Sequence, residues 1–184
     1  MAALFGGLGL ISVFVWPFSR CQRQIVWIQM YGAICFSAYF SLHGATIASV
    51  SCLISAGQLF ARRTCSNLAI LVPLFLASSI GLMALSSTSH SGSLATLAIC
   101  GSFFGTCARL QTSTLRMKAF FLMGSPLWLL HNLLIGGYFA IAVDVVSVLT
   151  NGITLARTLE TLGLAASGRG GKSAVYSREL LIAA

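Results

Sequence analysis

The sequence predicts an all-α membrane protein, with seven transmembrane helices arranged as two parallel three-helix bundles joined by a linker helix. Composition, the recurrence of apolar segments and the side on which the basic residues fall together predict it. Of 184 residues, 57% are hydrophobic and only 8% are charged, far from ordinary soluble usage. Nearly uncharged segments of roughly 16 to 20 residues follow one another along almost the whole chain. A soluble core has no use for so many all-round apolar helices.

The first segment, Ala2–Phe18, has its arginines after the apolar run and lacks the positive leader of a secretory signal, so it is expected to remain as a helix. The second, Ile25–Leu42, stops at His43–Gly44, and the third, Ala45–Phe60, stops before Arg62 and Arg63. The fourth, Asn67–Leu85, ends in the polar stretch Ser87–Ser93. The fifth, Leu94–Leu110, leads into Arg116 and Lys118; the sixth, Ala119–Ile135, stops at Gly136–Gly137; the seventh, Tyr138–Leu155, stops before Arg157. Several are short, which implies a thin or thinned bilayer.

With seven crossings, all eleven Lys and Arg residues sort to one side: Arg20, Arg23, Arg62, Arg63, Arg109, Arg116, Lys118, Arg157, Arg169, Lys172 and Arg178. The turns on the other side hold none. By the positive-inside rule the N-terminus is outside and the C-terminus cytoplasmic. The net charge of +8 is thus accounted for by topology, and nucleic acid is not an expected partner. The six cysteines show no metal spacing or C-x-x-C pair and read as small apolar residues. No metal or cofactor is expected.

The helices group as 3 + 1 + 3. Residues 1–63 form the first bundle, 64–92 the linker helix and outer loop, 93–157 the second bundle, and 158–184 a mobile basic tail. Aligning the turn at Gly44 on Gly137 gives a repeat offset of about 93 residues. Two three-helix units can face the same way only if an extra crossing separates them. In the tail, "ASGRGGKS" approaches a phosphate-binding loop, but Ala166 replaces its first glycine and a membrane helix precedes it, so a basic stretch near anionic lipid is preferred.

Chemistry concentrates in "SPLWLLHN" and "AIAVDVVSVLTNG". Asp144, Ser147, Asn151 and Thr154 recur every three or four residues and so share one side of the seventh helix. Burying an aspartate in a membrane helix costs roughly 2.5 to 3.5 kcal/mol, which directs Asp144 inward rather than to lipid. At 1.5 Å per residue it lies about 9 Å below the outer end. On the sixth helix Ser125, Trp128 and Asn132 share a side, with His131 beside them and Pro126 as a candidate hinge. Pro17 is the candidate hinge of the first half, and the turn alignment adds Cys35, Tyr39, Ser51 and Gln58 as first-half counterparts.

Each residue also has a plainer reading. Trp128 can anchor or pack, Asn132 and Asn151 can hold helices together, and His131 can pair with Asp144 or point to the membrane interface.

The 3 + 1 + 3 plan resembles the SWEET, PQ-loop and KDEL-receptor group, although Pro17–Phe18 and Cys107–Ala108 lack its glutamine. SWEET-type repeats pair a pocket Trp with a later Asn at the spacing of Trp128 and Asp144. More closely, "SPLWLLHNLLIGGYFAIAVDVVSVLTNGITLAR" resembles the YgjV-type bacterial inner-membrane family. That resemblance implies a multi-pass protein of the bacterial inner membrane with an acid near Asp144, and carries no settled activity.

Two functions remain in view. One is a transporter or facilitator for a small polar solute, with a cavity between the bundles lined by Trp128, Asn132, Asn151, Tyr39, Ser51, Gln58 and His131. Asp144 serves there as a contact or as a proton site, because desolvation favours the neutral carboxyl. The other is a membrane receptor whose basic loops and tail bind a protein partner or anionic lipid. A homo-oligomer is compatible with both. An enzyme is not expected, since there is no second membrane carboxylate, no H-E-x-x-H and no nucleophile with an evident base.

Overall fold

The computed structural model describes residues 1–15, 22–87 and 92–166. Among these it contains seven helices: α1 (Ala2–Val15), α2 (Gln22–Leu42), α3 (Thr46–Thr64), α4 (Leu68–Ser87), α5 (Gly92–Leu110), α6 (Thr114–Ile135) and α7 (Tyr138–Ala166). Pro17, His90 and the tail beyond Ala166 lie outside the described residues.

Several helices outrun their apolar windows; α3 holds Arg62 and Arg63 in its last turn, and α6 and α7 run on furthest. α6 begins at Thr114 rather than Ala119, so Arg116 and Lys118 lie inside its first turns; long basic side chains reach an interface while their stems stay against apolar surface. Pro126 is consequently near the middle of α6, not its start, and the helix continues through it. α7 continues beyond Arg157 to Ala166, carried by good helix formers such as Leu, Ala and Glu. Its 29 residues amount to about 43 Å, more than the roughly 30 Å of hydrocarbon.

By length and composition four stretches can cross a membrane: Leu68–Ser87, Gly92–Leu110, Leu115–Ile135 and Tyr138–Arg157. Ala2–Val15 and Val26–Leu42 are apolar but shorter. α3 directs its polarity inward, burying Ser49, Ser51 and Gln58. Large apolar residues such as Ile11, Ile34, Ile80, Leu134 and Leu149 stand exposed on the outer surface, as a lipid solvent requires.

Six helices close a ring in the order α1, α2, α3, α5, α6, α7, and α7 returns to α1. α2 is the middle helix of the first bundle and α6 of the second. Exchanging the bundles maps the α3–α5 seam onto the α7–α1 seam, the signature of a parallel repeat. α4 stands outside the ring against α3 and α5, with Leu71, Phe75 and Leu82 buried. The core gathers Phe36, Tyr39 and Phe40 of α2 with Ile47, Ala48, Ala98 and Ala140.

The repeat has a definite register. Gly44 and Gly136 take the left-handed conformation, with φ of 71° and 69°, so Gly136, not Gly137, is the partner of Gly44. The two turns close with the same bonds. The amides of Gly44 and Ala45 donate to the Ser41 and Phe40 carbonyls, and those of Gly136 and Gly137 to Leu133 and Asn132, a glycine-ended helix cap used twice. The offset is therefore 136 − 44 = 92 residues, and packing follows it. A Cβ on Gly9 would lie 2.6 Å from the Phe36 ring, and one on Gly101 2.7 Å from the Trp128 ring. Gly32 lies over Ser12 and the Gly9 carbonyl, as Gly124 lies over Phe104 and the Gly101 carbonyl. Ala48 and Ala140 are both buried.

Side chains at Gly9 and Gly101 would displace those rings, so Gly9→Ala and Gly101→Ala are each expected to destabilise by about 1–3 kcal/mol. Gly57→Ala, where no atom lies within 4 Å, is expected to be neutral or stabilising by about 0.5–1 kcal/mol. Thermal unfolding of the purified protein in detergent compares the three.

Candidate functional site

Small residues open a space where the second bundle would otherwise be filled. On α5, Gly101, Ser102 and Gly105 face Gly124 and Ser125 of α6, and a cavity of about 160 Å³ remains between them. Trp128 walls it from α6, Asp144 and Ser147 from α7, and Arg109 from the far end of α5; α3 contributes Ser55. The cavity thus lies mainly within the second bundle rather than midway between the two. The physical reason is volume, since the first bundle fills its centre with Phe36, Tyr39 and Phe40.

Asp144 is held from α6. The Asn132 amide nitrogen donates to Asp144 Oδ2 at 2.7 Å, and Asn132 is 2% exposed. The short turn at Gly136 makes α6 and α7 a hairpin that brings the two together. Asp144 Oδ1 takes no hydrogen bond among the described residues, yet no buried side-chain oxygen or nitrogen there lacks a partner. That oxygen therefore keeps accessible surface, and Asp144 lines the cavity.

Arg109 is held from the first bundle. Its Nη1 donates to Gln58 Oε1 at 2.8 Å, while Gln58 Nε2 donates to Ser78 at 2.9 Å and to Thr106 at 3.1 Å. Gly105, one turn earlier on α5, makes room for the guanidinium: a Cβ there would be 3.4 Å from Nη1. Topology alone accounts for a basic residue at a helix end, and Gly105, four residues before Arg109, is the sequence feature that sets this one apart.

A second cavity, of about 110 Å³, lies at the end of the molecule formed by the Gly44 turn, the start of α5 and the end of α6. His131 lines this one, and Asp144 the other. Between them stands a single layer. Trp128 stacks on Phe40 with ring centroids 6.1 Å apart and planes at 25°, and His131 sets its edge against both. Asn132 Oδ1 meets His131 Nδ1 at 3.2 Å. With its amide oxygen accepting and its nitrogen donating, Asn132 links a residue of one cavity to a residue of the other. His131 thus reaches Asp144 through Asn132 rather than directly, and it is buried rather than turned to the interface.

The remaining expected site residues are placed elsewhere. Tyr39, 2% exposed, is packed among Phe36, Phe40, His43 and Phe139. Ser51 Oγ donates to the Ala48 carbonyl. Gln58 is the clamp on Arg109. Asn151 gives its amide to Ser147 Oγ at 3.1 Å, two turns beyond Asp144. None of these four lines either cavity. In the observed register the first-half counterparts of Trp128, Asn132 and Asp144 are Phe36, Phe40 and Cys52 rather than Cys35, Tyr39 and Ser51.

No curated protein and no solved structure matches the chain. A family model does, that of Imp-YgjV, described as a bacterial inner membrane protein, over residues 1–161. That match takes in all seven helices except the last turn or so of α7, together with both cavities, and the chain belongs to the Imp-YgjV family of bacterial inner membrane proteins.

Proposed function

We propose that this inner-membrane protein moves a small polar solute across the bilayer by way of the Asp144 cavity. The observation that carries the reading is the carboxylate itself. One oxygen is fixed by Asn132 and the other takes no hydrogen bond among the described residues, on a side chain that lines the cavity, in a segment where an acid costs roughly 2.5–3.5 kcal/mol to insert. Such an expense with an open coordination position is expected of a binding group rather than of helix packing.

The stacked cavities supply a route. In the orientation with the N-terminus outside, the smaller cavity opens toward the exterior, and a solute reaches Asp144 when the layer of Phe40, Trp128, His131 and Asn132 parts. Trp128 offers a flat apolar wall, Ser125 and Ser147 offer hydroxyls, and Asp144 offers a charge or an exchangeable proton. Pro126 leaves the Leu122 carbonyl without its usual helical donor, so α6 can bend below the layer. The plan of two parallel bundles, with a resemblance to SWEET-type transporters, agrees with rocking of one half against the other.

In proteoliposomes loaded against a panel of labelled polar metabolites, Asp144→Asn is expected to cut uptake by about tenfold or more, and to abolish any response to an imposed pH gradient. Uptake and gradient response equal to wild type would remove the proton role. Asn132→Leu removes the only donor to Asp144 among the described residues and strands His131, so it is expected to cost about 1–3 kcal/mol, read as a lowered unfolding midpoint in detergent.

A further inference from the structure

The Asp144 cavity has a second charged end. Arg109 lines the same space, and the hydrogen bonds of Arg109 and Asp144 among the described residues run to amides, Gln58 and Asn132, rather than to each other. An amide orients a charge without neutralising it. The geometry points to a small zwitterion, a short amino acid whose carboxylate meets Arg109 and whose ammonium meets Asp144, as the solute this cavity holds. The inference deepens the transport reading and rests on it in taking this cavity as the solute site.

The dimensions agree. The Arg109 guanidinium folds back to the level of Gly105, about 20 Å along α5 from its start, and Asp144 lies about 9 Å along α7. The helix starts are at one level, since the smaller cavity touches the start of α5 and the end of α6 together. Along the helix axes the two charged groups are thus offset by roughly 10 Å, and a solute that meets both is one with its opposite charges at its two ends, as in a short α- to γ-amino acid. The cavity of about 160 Å³ is well under the ~300 Å³ of sites for drug-sized ligands, which excludes bulky side chains.

Charge selects the class. A simple anion drawn to Arg109 faces Asp144, and a simple cation drawn to Asp144 faces Arg109. A neutral polyol leaves both charges without a counter-charge in a poorly solvated space. Only a solute carrying both signs answers both ends, and a guanidinium fork suits a carboxylate better than any neutral acceptor.

The test is binding to the purified full-length protein in detergent, read as ligand-induced thermal stabilisation and by calorimetry. The probes are glycine, β-alanine, γ-aminobutyrate, acetate, methylammonium and glycerol at equal concentration. At least one of the three zwitterions is expected to stabilise, with acetate, methylammonium and glycerol ineffective. Arg109→Gln and Asp144→Asn are each expected to weaken that binding by about thirtyfold or more. Should Arg109→Gln fail to fold, Arg109→Lys keeps the charge and loses the fork, and is expected to bind more weakly than wild type. Stabilisation by acetate, methylammonium or glycerol equal to that of every zwitterion overturns the inference while leaving a solute cavity in place. Absence of any zwitterion effect overturns it as well. Zwitterion binding without zwitterion uptake in proteoliposomes upholds this inference and defeats the transport reading.

Discussion

The structure depends on an aromatic ring laid on a glycine. Phe36 rests on Gly9 and Trp128 on Gly101, at distances that leave no room for a Cβ on either helix. Apolar area cannot drive helix association where the solvent is hydrocarbon, so close van der Waals approach across small residues takes its place. Each ring-on-glycine contact fixes the rotation of the middle helix of its bundle against the first. The glycine-ended cap at Gly44 or Gly136 then fixes where the third helix starts. Two local constraints, each used twice at the same offset, set the order of the three helices within each bundle.

Within this symmetric frame the two halves carry different chemistry. At matched positions the first half has Phe36, Tyr39, Phe40 and Cys52, and the second has Trp128, His131, Asn132 and Asp144. Arg109 stands where the first half has Pro17. The first set packs into a solid aromatic core, with Tyr39 and Phe40 2% and 3% exposed. The second leaves a cavity, because Ser102 and Gly105 occupy less volume than Leu10 and Val13 at the matched positions. One bundle is a wall and the other a candidate site, and Phe40 stacked on Trp128 is one of the contacts between them.

The seven helices were legible because hydrocarbon thickness imposes a length on every apolar run, and their ends were misjudged where charge lies inside a helix, as with Lys118 in α6. Asp144 and Trp128 stood out as an acid and a large amphipathic ring in apolar surroundings. Arg109 did not, since a basic residue at a helix end has a sufficient explanation in topology, and only its approach to Gly105 and Gln58 distinguishes it. The register of the repeat slipped by one at Gly136–Gly137. Two adjacent glycines are equivalent as letters, and only the backbone conformation says which of them ends the helix. A slip of one residue turns a helix face by about 100°, enough to name Tyr39 as the partner of Asn132 when the position belongs to Phe40.

The two amide clamps are attached to different parts of the molecule. Asn132 and Asp144 belong to the α6–α7 hairpin and move together. Arg109 belongs to α5, but its clamp Gln58 comes from α3 across the seam between bundles, where Ser78 of α4 also meets Gln58. Rocking of the bundles would leave the acid's environment intact and change that of the arginine. Had Arg109 been paired with a carboxylate on α3, separating them would strand two charges, and the seam would resist opening by several kcal/mol. A neutral amide lowers that barrier and leaves the guanidinium its full charge. In the proposed transport, glutamine rather than an acid at position 58 would tie the opening of the seam and the strength of the site to the same residue.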